Sequence, residues 1–206
     1  AAQRAMTELH ARLVAEQVKL GTDNGIWVQL SADELDRLYS DVEQQRKLKV
    51  GVDTPVGIEI GFAGLDAASL GKNGSVHRYG AVRRADDGIV WTMSVNAPGA
   101  TGVRLHLTGL DLPEGAELAL YNKAGEAFRY TGKGPLGTGE VWTHTVVGDE
   151  AILQLKASDL SGVSFTIDSV GYMGDNFSYG ARWTLAKAFC GYNEPCIYNA
   201  NCLGTS

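Results

Sequence analysis

The pattern of apolar positions changes character near Val50. Before it, Met6, Leu9 and Leu13 recur at three-to-four spacing, joined by Val14, and predict a helix over 2–20 that Gly21 is placed to end. Asp23-Asn24-Gly25 reads as a turn, and Ile26-Trp27-Val28-Gln29-Leu30 as a short strand. Ser31 followed three places later by Glu34 forms a capping box. Leu35, Leu38, Tyr39 and Val42 then carry a second helix to about Lys47.

After Val50 the period becomes two. Val56, Ile58 and Ile60 alternate with Gly57 and Glu59, and Val103, Leu105 and Leu107 with Arg104, His106 and Thr108. Leu118 and Leu120, Leu153 and Leu155, and Val163, Phe165 and Ile167 opposite Ser164, Thr166 and Asp168 continue the pattern. Turn signals separate these runs at Asp86-Asp87-Gly88, Ala97-Pro98-Gly99, Leu112-Pro113-Glu114-Gly115, Asn122-Lys123-Ala124-Gly125 and Val147-Gly148-Asp149. Eight or nine strands at this spacing predict a mainly β fold, an antiparallel β-sandwich of jelly-roll type. The expected organisation is a helix-strand-helix appendage over 1–49, a β-sandwich over 50–173, and a linker with a cysteine-containing start of a following domain over 174–206.

Composition narrows the function classes. The 206 residues include 26 glycines, in keeping with many turns. Lys+Arg 18 against Asp+Glu 24 gives a formal charge of −6, which argues against capture of nucleic acid or an anionic membrane surface. No apolar run approaches the ~20 residues of a membrane span. The start Ala-Ala-Gln lacks the basic and apolar regions of a signal peptide, and suits a chain already cleaved after a small-residue site. Cys190, Cys196 and Cys202 are all the cysteines there are, and they crowd the C-terminal end. A body of this size does not need staples, so they belong to what happens there, and an odd number points to a partner outside this stretch.

Candidate chemistry is sparse. His10, His77, His106 and His144 form no metal-ligating spacing, and no cofactor motif is present. His106 and His144 read as exposed histidines on strands, without a recognisable nucleophile or orienting acid. Asp86-Asp87 and Asp149-Glu150 sit in turns and lack a calcium-loop pattern. The stretch Tyr130-Thr131-Gly132-Lys133-Gly134-Pro135-Leu136-Gly137-Thr138-Gly139 lacks a phosphate-loop signature and reads as a long flexible hairpin loop able to carry binding, with Tyr130, Lys133, Pro135 and Leu136 as its candidates. Trp91 and Trp142 each open a Trp-Thr pair on a strand, where core packing is favoured over a sugar-stacking surface.

Three strings, in order, carry a resemblance. Residues 102–121 (GVRLHLTGLDLPEGAELALY), Gly139-Glu140-Val141-Trp142-Thr143, and Gly148-Asp149-Glu150 followed by an apolar strand resemble the pro-region of secreted bacterial serine endopeptidases of the lysyl-endopeptidase type. The likeness runs over about residues 50–202. In that family a C-x5-C motif opens the protease domain, and Cys190 to Cys196 has that spacing, as does Cys196 to Cys202. The family opening uses one such pair, so the third cysteine leaves the pairing open.

The resemblance implies a jelly-roll-like pro-segment followed by a trypsin-like double barrel, whose catalytic residues would lie beyond Ser206. It implies a folding assistant and inhibitor, secreted or periplasmic, with the attached or cognate serine protease domain as partner and no catalytic residue of its own. Lys187-Ala188 is then a candidate self-processing bond, with Arg182-Trp183 next. The glycine-rich loop 130–139 or the linker 174–189 is expected to occupy the substrate cleft. A second reading is a non-catalytic binding sandwich for carbohydrate or a cell surface, supported by Trp91, Trp142, Tyr121 and Tyr130. A third is a hydrolase around His106 and His144, supported by nothing except those histidines.

Overall fold

The computed structural model describes residues 2–18, 24–44 and 50–174. Two helices, α1 (Ala2–Glu16) and α2 (Ala32–Gln44), flank a two-residue strand β1 (Ile26–Trp27). Eleven further strands follow: β2 (Gly51–Gly61), β3 (Ser75–Val76), β4 (Ala81–Ala85), β5 (Gly88–Asn96), β6 (Gly102–Thr108), β7 (Glu117–Tyr121), β8 (Ala127–Tyr130), β9 (Val141–Trp142), β10 (Val146–Val147), β11 (Glu150–Ala157) and β12 (Ser164–Met173). The mainly β, antiparallel expectation holds. Leu20, Gly21, Asp23 and Lys47 lie outside the described residues, as do Lys187, Ala188, Cys190, Cys196, Cys202 and the linker beyond Gly174.

The strands form two sheets. The larger runs β3-β4-β5-β11-β7-β8, with β1 alongside the end of β5 in a parallel pair; the smaller runs β10-β6-β12-β2, with β9 sharing the β10 edge of β6. The turn signals after Val50 fall at junctions between consecutive strands, with Gly88 opening β5 and Val147 closing β10. The glycine-rich stretch, expected as a hairpin loop, instead leaves β8 in the large sheet and enters β9 in the small one. Its glycines hide that crossing, because positive-φ positions serve hairpins and inter-sheet connections alike.

The two inner faces make one core. Ile89, Trp91, Met93 and Val95 of β5, Leu153 and Leu155 of β11 and Leu118 and Leu120 of β7 meet Val103, Leu105 and Leu107 of β6 and Phe165 and Ile167 of β12. Trp91 is fully buried and its indole N–H donates to the Tyr79 carbonyl at 2.7 Å, satisfying its one polar atom. The N-terminal elements join this core, since Ile26, Val28, Leu30 and Leu38 belong to the same cluster. The capping box that starts α2 is formed: Ser31 N–H donates to Glu34 Oε2 at 2.8 Å, and Glu34 N–H donates back to Ser31 Oγ at 3.3 Å.

The outer face of the large sheet is unlike the inner one. Thr92, Gln154 and Tyr121 point outward yet are buried. Tyr121 Oη donates to Gln154 Oε1 at 2.9 Å, and the Val18 N–H donates to Thr92 Oγ1 at 3.3 Å. Helix α1 covers this face, Leu13 packing on Ala119, Tyr121, Ala127 and Ile152. Ion pairs of Arg12 with Glu117 and of Glu16 with Lys156 fix the helix at its edges.

Leu38 is 0% exposed within the main cluster. Leu38→Ala is expected to cost about 2–5 kcal/mol in a urea titration, with unfolding still a single transition. A cost below about 0.5 kcal/mol, the surface range, would show that α2 is not part of the core.

Candidate functional site

The outer face of the small sheet is where uncommitted chemistry gathers. Val103, Leu105 and Leu107 of β6 point inward, so Arg104, His106 and Thr108 point out. Across the ladder they face Gly171, Ser169 and Thr166 of β12. On the other side β9 pairs Trp142 with His106, and because Val141 takes the inward position, Trp142 stands outward and is 42% exposed.

Asp168 reaches this face through an irregularity. Ile167 opposes Leu107 and Ser169 opposes His106, so Asp168 is one residue extra in β12. The bulge aims its carboxylate at His106, Nδ1 to Asp168 Oδ2 being 3.0 Å. The other ring nitrogen, Nε2, lies 3.0 Å from Glu140 Oε1. An imidazole held at both nitrogens by carboxylates donates from both, and so is suited to its protonated form.

Trp142 stacks on this ring, with centroids 4.4 Å apart and planes 16° apart. The guanidinium of Arg104 lies 4.2 Å from the indole centroid, a cation–π contact. Arg104 in turn donates from Nη2 to Asp53 Oδ1 at 3.3 Å. Its side chain lies across Gly171, where a Cβ would meet Arg104 Cγ at 2.7 Å and Asp53 Oδ1 at 3.1 Å. Three carboxylates (Asp53, Glu140, Asp168), the Arg104 guanidinium, the His106 imidazole and one indole therefore form a connected row.

Burial alone would weaken the hold of His106 on its proton. The hydrogen bonds and charges of Asp168 and Glu140 outweigh that and raise its pKa above the ordinary histidine value. Further along the same face, an open cleft of about 480 Å³ is lined by Glu59, Arg78, Thr108, Ser164, Phe165 and Thr166 among others.

The other predicted site residues fall elsewhere. Tyr130 is 3% exposed, with its hydroxyl accepting the His144 N–H at 2.8 Å and lying 3.1 Å from His144 Nδ1. It is a packing residue that anchors the backbone at His144, which lies between β9 and β10 rather than on the expected strand and whose ring stacks on Phe128 at 4.1 Å. Lys133, Pro135 and Leu136 remain exposed, Leu136 at 83%, with Lys133 Nζ 3.5 Å from Asp111. Of the aromatics that suggested a binding surface, Trp91 and Tyr121 are fully buried and only Trp142 is open. Among the described residues no group of three or more His, Cys, Asp or Glu could hold a metal. Nor, among the described residues, does a serine, threonine or cysteine side chain hydrogen-bond to His106 or His144.

The row missed by sequence reasoning is Asp53–Arg104–Trp142–His106 with its two acids. Its one available signal was the alternation Val141-Trp142, which puts the tryptophan on the face opposite a core valine.

Because His106 binds its proton more tightly when folded, its charged form contributes stability that is complete below the unfolded value of about 6.5. That contribution is lost as pH rises through the raised folded-state value. The stability difference between the parent chain and His106→Gln, from urea titrations, is expected to be largest on the acid side of neutrality and to shrink with rising pH. A difference that grows with pH would contradict the clamp.

Comparison with known proteins identifies no relative: no family model matches the chain and no curated protein matches it. Among solved structures the chain is similar to an insecticidal crystal protein, Cry2Aa, at 9% identity over 65% of this chain and 20% of that one. The TM-score is 0.26, at which the likeness carries no argument about fold or function.

Proposed function

We propose that the chain is the pro-segment of a secreted serine endopeptidase, assisting the folding of the attached protease domain and inhibiting it until cleavage. The observation that supports this reading best is that the three strings bearing the resemblance are physically joined. Residues 102–121 supply β6, the crossing between sheets and β7; 139–143 lead into β9; 148–150 form the turn into β11. Leu110 N–H donates to the Gly139 carbonyl at 2.9 Å, and β11, the apolar strand after Gly148-Asp149-Glu150, pairs with β7, Ile152 opposing Tyr121 and Leu155 opposing Leu118. Thr143 N–H donates to the Leu105 carbonyl at 2.9 Å, while Leu105 N–H donates to Thr143 Oγ1 at 2.8 Å. Strings that contact one another in this way act as one unit of the sandwich.

A double β-barrel protease has many non-local contacts and folds slowly, so a rapidly formed template lowers its barrier. The sandwich presents a shaped element for inhibition in the loop between β8 and β9. Gly134 N–H donates to the Thr131 carbonyl at 3.0 Å, Gly137 N–H to Gly134 at 3.1 Å and Gly139 N–H to Lys133 at 2.9 Å. At Gly134, with φ +80°, a Cβ would lie 2.3 Å from Val141 Cγ2, so the tight fold of the loop requires glycine there. Lys133, Pro135 and Leu136 are held outward by this fixed backbone, which reduces the ordering cost of entering a cleft. A tether through Lys187 and Ala188 supplies an effective concentration of about millimolar, so modest affinity suffices before cleavage.

The reading is tested by refolding the mature protease, produced from its own gene, with and without this chain. The chain is expected to raise the recovered activity by about tenfold or more, and then to inhibit the folded enzyme. Replacing Lys133 and Leu136 by alanine is expected to weaken inhibition by about tenfold while sparing the refolding effect. Unchanged inhibition removes the loop as the inhibitory element. Absence of both effects removes the pro-segment.

A further inference from the structure

Of the sandwich's two outer faces, the large one is covered by α1, and among the described residues no helix covers the small one. We propose that the small sheet's outer face binds a neutral oligosaccharide, with Trp142 as the stacking platform and Arg104, Glu140 and Asp168 as its hydrogen-bonding rim. This goes beyond the pro-segment reading and does not rest on it.

An indole that is 42% exposed on an edge strand ordinarily moves with its neighbours, but this one is held. His106 stacks on it at 4.4 Å and Arg104 lies 4.2 Å from its centroid, while the clamp on His106 fixes the imidazole itself. A ring so braced loses little freedom when a ligand settles on it. A pyranose offers such a surface an apolar C–H face and a rim of hydroxyls, so it needs an aromatic plane with hydrogen-bonding groups at its border.

Those groups are at hand. The interactions described above engage Asp168 through Oδ2, Glu140 through Oε1 and Asp53 through Oδ1. Asp168 Oδ1, Glu140 Oε2 and Asp53 Oδ2 are without a hydrogen-bond partner among the described residues and stand open to accept from sugar hydroxyls. Thr108 lies two residues beyond His106 on β6, about 7 Å along the strand. There the face continues into the 480 Å³ cleft, where Thr108, Ser164, Thr166, Glu59 and Arg78 supply further donors and acceptors. A chain of sugars can thus run from the indole into the cleft.

Charge selects the sugar. Three carboxylates against Arg104 and His106 leave the row without the positive excess that uronic acids or sulfated sugars require. Beside the row the exposed apolar side chains include Trp142, Val147 and Pro55, the last opposite Ser169.

The test titrates the full chain with cellohexaose, chitohexaose and maltohexaose, and with a heparin hexasaccharide as anionic control, by calorimetry and tryptophan emission. At least one neutral hexasaccharide is expected to bind with a dissociation constant between about 10 μM and about 1 mM, and the heparin fragment is not. Trp142→Ala, whose side chain lies on an exposed edge strand, is expected to weaken binding at least tenfold while unfolding in urea stays a single cooperative transition. Glu140→Gln is expected to weaken it severalfold. No neutral hexasaccharide binding at about 10 mM, or equal binding by Trp142→Ala, overturns the proposal. So does quenching of Trp142 by the protease domain with no sugar effect, which assigns the face to a protein partner. None of these outcomes alters the refolding result, so the two readings fail separately.

Discussion

Ile167 and Ser169 of β12 oppose Leu107 and His106 of β6, and Asp168 between them has no partner in that ladder. Both faces of the small sheet depend on this one residue. Upstream of it Phe165 and Ile167 point inward; downstream Val170 and Tyr172 do, because the insertion reverses the parity of the strand. Without it, one half of β12 would turn its apolar row to solvent. The same insertion pushes a carboxylate onto His106, and through that ring it braces Trp142 and the Arg104–Asp53 pair. Core packing and surface chemistry are therefore set together.

The two outer faces solve different problems. On the large sheet, Thr92, Gln154 and Tyr121 are sealed beneath α1 by hydrogen bonds as much as by apolar contact. Gln154 Nε2 and Glu16 Oε2 are nonetheless buried without a partner, a cost that the packing of Leu13 and the Glu16–Lys156 pair offsets. On the small sheet Arg104 pairs with Asp53 and His106 with Asp168 and Glu140, while Arg104 Nε and Thr54 Oγ1 are buried without a partner, and among the described residues the Trp142 indole is left exposed.

Much of the architecture was legible in the residues. Alternation in 103–108 and 163–167, glycine-bearing turns such as Leu112–Gly115, and the Ser31–Glu34 box each state a local rule that the fold obeys. What alternation could not show was where it breaks: Asp168 reads as the next outward residue, and nothing local marks it as an insertion. Strands of two residues such as β9 and β10 offer a single step of alternation, too little to separate Trp142 from Trp91, and only the sheet places one outside and the other in the core. Tyr130 looked like a loop residue because it adjoins the glycine-rich stretch, yet its ring is needed inside. The His106 clamp joins β6, β12 and the approach to β9, a convergence that exists only after the sheet has formed.

The pro-segment account joins a connected unit of strings to a cysteine-bearing C-terminal stretch that follows the sandwich. It is tested most directly by reading the coding sequence beyond Ser206. The account predicts about two hundred further codons containing a trypsin-like histidine, aspartate and serine in that order. A stop codon or an unrelated domain at that point would contradict it.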